Sequence, residues 1–129
     1  MKILLVDDET ALVDSLKTAL GCQGYEVLVA LDGAAAVEIA RREIPHLILL
    51  DLTLPQLDGI QVLRQIRSDE RCRQIPVVVM TGRTDPEELA STLEDGASSY
   101  YIKPMKVDTL MVLIQTLLER KTNREGSRP

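Results

Sequence analysis

Leu47-Ile48-Leu49-Leu50 is a run of four apolar residues that stops on an acid, Asp51. The same arrangement recurs along the chain. Ile3-Leu4-Leu5-Val6 stops at Asp7-Asp8, Val77-Val78-Val79-Met80 at Thr81, and Tyr100-Tyr101-Ile102 at Lys103-Pro104. Runs this short are strand-sized, and apolar character on successive residues means that both faces are covered. Longer stretches with helical spacing lie between them, so the chain reads as α/β: a doubly wound parallel sheet with helices on both sides. Ligands in such sheets bind outside the carboxyl ends of the strands. Three carboxylates, a hydroxyl and an ammonium from distant parts of the sequence would then share one cleft.

Working outward from these runs, strand and helix alternate about five times. Strand 1 is expected over 2–6 and helix 1 over about 9–20, with Leu12, Val13, Leu16, Ala19 and Leu20 on one stripe and Gly21 and Gly24 as breakers. Strand 2 follows over 25–30. Asp32 then caps a helix 2 that buries Ala36, Val37 and Ala40 and stops before Pro45. Strand 3 covers 46–50; its loop runs through Pro55 to Asp58-Gly59, and helix 3 turns Ile60, Leu63 and Ile66 inward. Pro76 opens strand 4. Asp85-Pro86-Glu87-Glu88 supplies a cap, a proline at the first position and an acid at the third for helix 4, which ends at Gly96. Strand 5 is expected over 99–102 and helix 5 over 107–120.

Helix 5 is unusually apolar. Leu110, Leu113, Ile114 and Leu117 suffice as a core stripe, which leaves Met111, Leu118 and Val107 towards its edge. Either the buried face is wide or this side meets another protein. Residues 121–129 are polar and aperiodic, so the folded domain is expected over 1–121, with 122–129 as a flexible tail or the start of a linker.

A chain of 129 residues fits one domain with a real core. Its net charge of −5 argues against direct nucleic-acid binding, and with no Trp or Phe it offers no stacking platform for bases. No apolar stretch approaches the roughly 18 residues of a membrane span, and nothing resembles a signal peptide. Cys22 and Cys72 are too isolated for a disulfide framework, which fits reduced thiols in a cytoplasmic protein.

Gathered at one end of a sheet, Asp7, Asp8 and Asp51 would repel by roughly 4 kcal/mol per close pair at an effective dielectric near 20. A fold tolerates this only with a cation, protons or ordered water in compensation. Hard oxygen donors suit Mg²⁺, with Mn²⁺ as an alternative. Asp7-Asp8 alone reads better as a helix cap; Asp51 at the neighbouring strand end turns the balance to the metal. A carboxylate at the bottom of such a cleft can attack a phosphoryl group and form an acyl phosphate. Lys103 and Thr81 would offer donors to the phosphoryl oxygens, although each alone is an ordinary surface lysine or strand-ending residue.

These residues resemble a two-component response regulator receiver domain of chemotaxis-regulator-like, single-domain length. The likeness runs over about 2–120. It rests on Leu4-Leu5-Val6-Asp7-Asp8-Glu9, Leu49-Leu50-Asp51-Leu52-Thr53-Leu54-Pro55, Leu57-Asp58-Gly59, Ile75-Pro76-Val77 through Met80-Thr81-Gly82, and Gly96-Ala97 through Tyr100 to Lys103-Pro104. The resemblance implies a flavodoxin-like fold with strand order 2-1-3-4-5. It implies Asp51 as phosphoacceptor, Asp7, Asp8, Asp51 and the Thr53 backbone carbonyl as Mg²⁺ ligands, and Thr81 and Lys103 as phosphoryl-binding groups. Thr81 and Tyr100 would form the switch. A sensor histidine kinase or histidine phosphotransfer protein would be the donor. A downstream effector protein or output domain would read the helix 4–strand 5–helix 5 face, which also suits a homodimer.

The chain departs from the family pattern at Gly82, at Met105 and at Thr53 and Arg83, which flank the phosphate and are poorly suited to orienting an attacking water; slow to intermediate self-dephosphorylation is expected. His46 is the single histidine and is expected to be structural. The module is expected to signal without turning over an external substrate. A phosphohydrolase using an aspartyl-phosphate intermediate is the rival, but Thr53 stands where such enzymes want a second acid. A flavodoxin-like cofactor binder fits worse, because Asp7-Asp8-Glu9 provides no glycine-rich cradle.

Overall fold

A computed structural model describes residues 1–52, 59–82, 86–103 and 106–126, with backbone alone at 88 and 120–126. The elements are β1 (Lys2–Val6), α1 (Thr10–Cys22), β2 (Glu26–Ala30), α2 (Gly33–Glu43), β3 (Leu47–Asp51), α3 (Gly59–Ser68), β4 (Val77–Thr81), α4 (Pro86–Glu94), β5 (Ser99–Ile102) and α5 (Val107–Gly126). The strands form one sheet in the order β2-β1-β3-β4-β5, every pair parallel. The expected fold class and strand order are both present.

Alternation along the central strands explains the solid apolar runs. Leu4, Val6, Ile48, Leu50, Val77 and Val79 point to one face, where Ala36, Val37 and Ala40 of α2 and Val62, Leu63 and Ile66 of α3 cover them. Ile3, Leu5, Leu47, Leu49, Val78 and Met80 point to the other, under Val13, Leu16 and Leu20 of α1 and Leu110, Ile114 and Leu118 of α5. Each central strand is thus buried twice over, whereas the edge strands β2 and β5 keep mixed burial.

Element ends differ from the sequence expectation in instructive ways. Helix α1 passes through Gly21 to Cys22; the break falls at Gly24, whose φ of 88° is left-handed. Strand β2 begins at Glu26, one residue after the half-buried Tyr25. Strand β3 takes in Asp51 itself, because Asp51 pairs with Met80 and keeps the ladder going. Helix α5 continues to Gly126, past the expected end at Arg120, through residues that lack an apolar stripe but contain no breaker before the glycine. On α5 the core stripe is also shifted. Leu118 is buried with Leu110 and Ile114, while Leu113 and Leu117 are only partly buried and Val112 is exposed. With apolar residues at so many consecutive positions, several helical phases fit the sequence equally well.

Helix α2 is bounded as expected at its start, where the Ala35 N–H donates to Asp32 Oδ1 at 2.8 Å. It closes unusually. Ile44 adopts a left-handed conformation with φ 44° and donates its N–H to the Ala40 carbonyl at 3.0 Å. The loop holding Pro55 and Asp58, the Asp85 cap and the proline and methionine after Lys103 lie outside the described residues.

Candidate functional site

The strand register sets the site. Val6 is level with Leu50, Asp51 with Met80, and Thr81 with Ile102. Asp7, Asp51, Thr81 and Lys103 therefore leave the carboxyl edge of the sheet within two residues of one another. The backbone ladder continues past the strands: Asp7 N–H donates to the Ala30 carbonyl at 3.2 Å, Leu52 N–H to Met80 at 3.2 Å, and Lys103 N–H to Thr81 at 2.7 Å. The side chains thus start from anchored backbone.

Asp7, Asp51 and Thr81 are buried, Lys103 is partly buried and Asp8 is exposed. The Lys103 ammonium lies 3.3 Å from Asp7 Oδ2 and 3.4 Å from Asp51 Oδ2. The other Asp7 oxygen, Oδ1, accepts the Glu9 N–H at 2.9 Å. Asp7 does not cap α1, whose N-cap residue is Glu9 with no side-chain cap; one Asp7 oxygen instead organises the approach to the helix while the other faces the cleft. Carboxylate oxygens of Asp7, Asp8 and Asp51 all come within 4.8 Å of one another.

Electrostatics reflect this crowding. Burial, aided by the neighbouring Asp51 charge, raises the Asp7 pKa from its ordinary value, against the opposing pull of the Glu9 N–H and Lys103. Burial works against the Lys103 ammonium, but Asp51 and Asp7 together outweigh it and its pKa is raised. One ammonium between two buried acids, with a third acid beside them, leaves an excess of negative charge facing the opening. The donor set is all oxygen and reaches solvent through Asp8, which fits a hard divalent cation that keeps part of its water shell.

Tyr100 stands on the same face of the sheet as Thr81, two residues before the position level with it, and is 37% exposed. His46 is tied into the opposite end of the sheet: its Nδ1 accepts the Lys2 N–H at 2.9 Å. That is a structural role. Thr53 and Arg83 fall outside the described residues.

Two features are not visible in the sequence reading. Gly59, the first residue of α3, sits so close to β3 that a Cβ there would lie 2.6 Å from the Asp51 carbonyl oxygen and 2.6 Å from Leu52 Cα; the Asp58-Gly59 pair was its only signal. Tyr101 places its hydroxyl against the backbone of Lys106, accepting from the N–H at 3.1 Å and lying 3.2 Å from the carbonyl oxygen to which it donates.

A family model described as response regulator receiver domain matches residues 3–115. The response regulator MprA of Mycobacterium leprae (strain TN) is 39% identical over 93% of this chain and 52% of its own length. The chain thus spans about half the length of the curated relatives it matches. Among solved structures, the receiver domain of the Francisella response regulator 1452 superposes with a TM-score of 0.87 at 28% identity, covering 93% of this chain and 98% of that one. The receiver domain of sensor histidine kinase PA1611 from Pseudomonas aeruginosa PAO1 gives a TM-score of 0.81 at 31% identity over 92% of this chain and 97% of its own. That structure is described with a magnesium ion coordinated in its active site cleft.

Proposed function

The chain belongs to the response regulator receiver domain family, a family of signalling modules, and on that premise we propose that Asp51 accepts a phosphoryl group from a sensor histidine kinase or histidine phosphotransfer protein. One observation carries the assignment of residues. The buried Asp51 carboxylate lies 3.4 Å from the Lys103 ammonium and within 4.8 Å of two further acids. Attack by an Asp51 oxygen forms the O–P bond of an acyl phosphate while the N–P bond to the donor imidazole breaks and that nitrogen takes up a proton. Asp7, Asp8 and Asp51, with the Thr53 backbone carbonyl, would hold Mg²⁺, which Mn²⁺ can replace. When bound, the cation offsets negative charge on the phosphoryl oxygens. Lys103 and Thr81 donate to those same oxygens.

The product carries about −1.5 to −2 charges near neutral pH. Thr81 is drawn towards it and Tyr100 turns inward into the vacated space, biasing an existing equilibrium of the α4–β5–α5 face. A full reversal from 1:99 to 99:1 needs about 5.5 kcal/mol, which two or three charge-assisted hydrogen bonds supply. A downstream effector or output domain reads that face, and the lifetime of the signal is slow to intermediate because Thr53 and Arg83 orient water poorly. We place the domain over 1–121, with α5 carrying on to Gly126, and its action in the cytoplasm. No helix among the described residues is long and apolar enough to cross a membrane. A phosphohydrolase is not favoured, since the acids brought beside Asp51 are those committed to the cation.

The test is mass spectrometry after incubation with acetyl phosphate and Mg²⁺. Wild type is expected to gain one phosphoryl group and Asp51→Asn none. A wild type that stays unmodified, or an adduct that survives the substitution, removes the proposal.

A further inference from the structure

We propose that Tyr101 is a positioning residue for Lys103, acting through a hydroxyl clamp on Lys106, the residue just ahead of α5. The inference rests on the phosphoacceptor reading of the site and adds to it a residue on the opposite face of the sheet from Thr81 and Tyr100.

Tyr101 is level with Met80, and its ring packs with the α1–α5 core. From there the hydroxyl reaches the residue just ahead of α5. It accepts the Lys106 N–H at 3.1 Å and donates to the Lys106 carbonyl at 3.2 Å. The same carbonyl accepts the Leu110 N–H at 3.0 Å, so the clamp closes on the first turn of the helix. Lys103 lies between the two clamped points. Its own N–H is held by the Thr81 carbonyl at 2.7 Å, and its ammonium by Asp7 and Asp51 at 3.3 and 3.4 Å.

A lysine is a point charge on four flexible methylenes, so its placement depends on where its backbone is anchored. One side of that anchor is the β4–β5 ladder. The other is the approach to α5, which the Tyr101 hydroxyl fixes from a partly buried ring packed against the core. A hydroxyl held by two backbone groups of one residue resists both lateral and outward movement of Lys106. Without it Lys106 is held less firmly and the Lys103 ammonium spends less time where a phosphoryl oxygen must arrive, and small displacements of this kind are costly in group transfer.

Tyr101→Phe removes the oxygen and keeps the ring in its core. Amide exchange at Lys103 and Lys106 is expected to accelerate. The rate of phosphorylation by acetyl phosphate is expected to fall about fivefold, as the hydroxyl's two bonds to Lys106 are lost, while Mg²⁺ affinity followed by NMR titration stays unchanged. In a Lys103→Ala background the same substitution is expected to cause no further loss, which a general structural defect would not reproduce. Unchanged exchange, an unchanged rate, a parallel loss of Mg²⁺ affinity, or an equal loss with and without Lys103 would each overturn the clamp. A wild type that takes no phosphoryl group at all overturns the preceding reading instead, and is seen in the first control.

Discussion

With one oxygen on the Glu9 N–H and the other 3.3 Å from the Lys103 ammonium, Asp7 is well bonded yet crowded by two further acids. Its folded-state pKa is raised. The native chain therefore holds a proton there more readily than the unfolded chain, so the group favours folding at low pH and that contribution is lost as pH rises through the raised value. Near neutral pH in a chelator, Asp7→Asn is expected to stabilise the protein by about 1 kcal/mol, or about 4 °C in Tm. Mg²⁺ at a hundredfold its Kd should add about 2.7 kcal/mol to wild type and far less to the variant. Calorimetry with and without the metal checks both, and a variant less stable than wild type in the chelator would contradict the repulsion argument. Ile44 carries strain of a different kind: a β-branched residue at φ 44° that is 39% exposed and so has little packing to hold it there. Ile44→Asn, which tolerates the left-handed region, is expected to raise the unfolding free energy by about 0.5–1 kcal/mol in urea titrations.

At the scale of elements, the seam between β3 and α3 is the tightest near the site. The helix begins on Gly59 with its N–H on the Leu52 carbonyl at 3.2 Å, leaving no room for a side chain. Gly59→Ala must push α3 away from the end of β3 that bears Asp51. A loss of about 2–4 kcal/mol is expected, with slower phosphorylation in the fraction that folds; urea unfolding alongside the acetyl phosphate assay measures the two together. How much of this was readable beforehand differs by element. The central strands were, because burial on both faces writes an unbroken apolar run that ends where the ladder ends. The ends of Lys103, Asp7 and Asp51 followed from those runs. Helix α5 was not, since eight apolar residues allow more than one buried phase, and the true stripe passes through Leu118. The Tyr101 clamp and the Ile44 backbone were invisible because one depends on a rotamer meeting a distant main chain and the other on a dihedral angle that no side-chain pattern records.

For the whole molecule, the α4–β5–α5 side proposed above as the readout surface keeps apolar side chains exposed. Leu93 on α4, Tyr100 and Ile102 on β5 and Val112 on α5 remain 42, 37, 38 and 62% exposed. Such apolar exposure on three neighbouring elements suits self-association of α4–β5–α5 in a phosphate-dependent homodimer. Light scattering over a concentration series should show a dimer that grows with beryllofluoride and Mg²⁺; a monomer under both conditions rules it out. Strand β5 also bears on what this molecule must avoid. It is an open edge of a parallel sheet, and an open edge invites strand addition from any passing chain. At four residues, it offers a stranger very few free rungs. Brevity there lets the protein keep a sticky flank for a chosen partner while giving fibril growth almost nothing to template on.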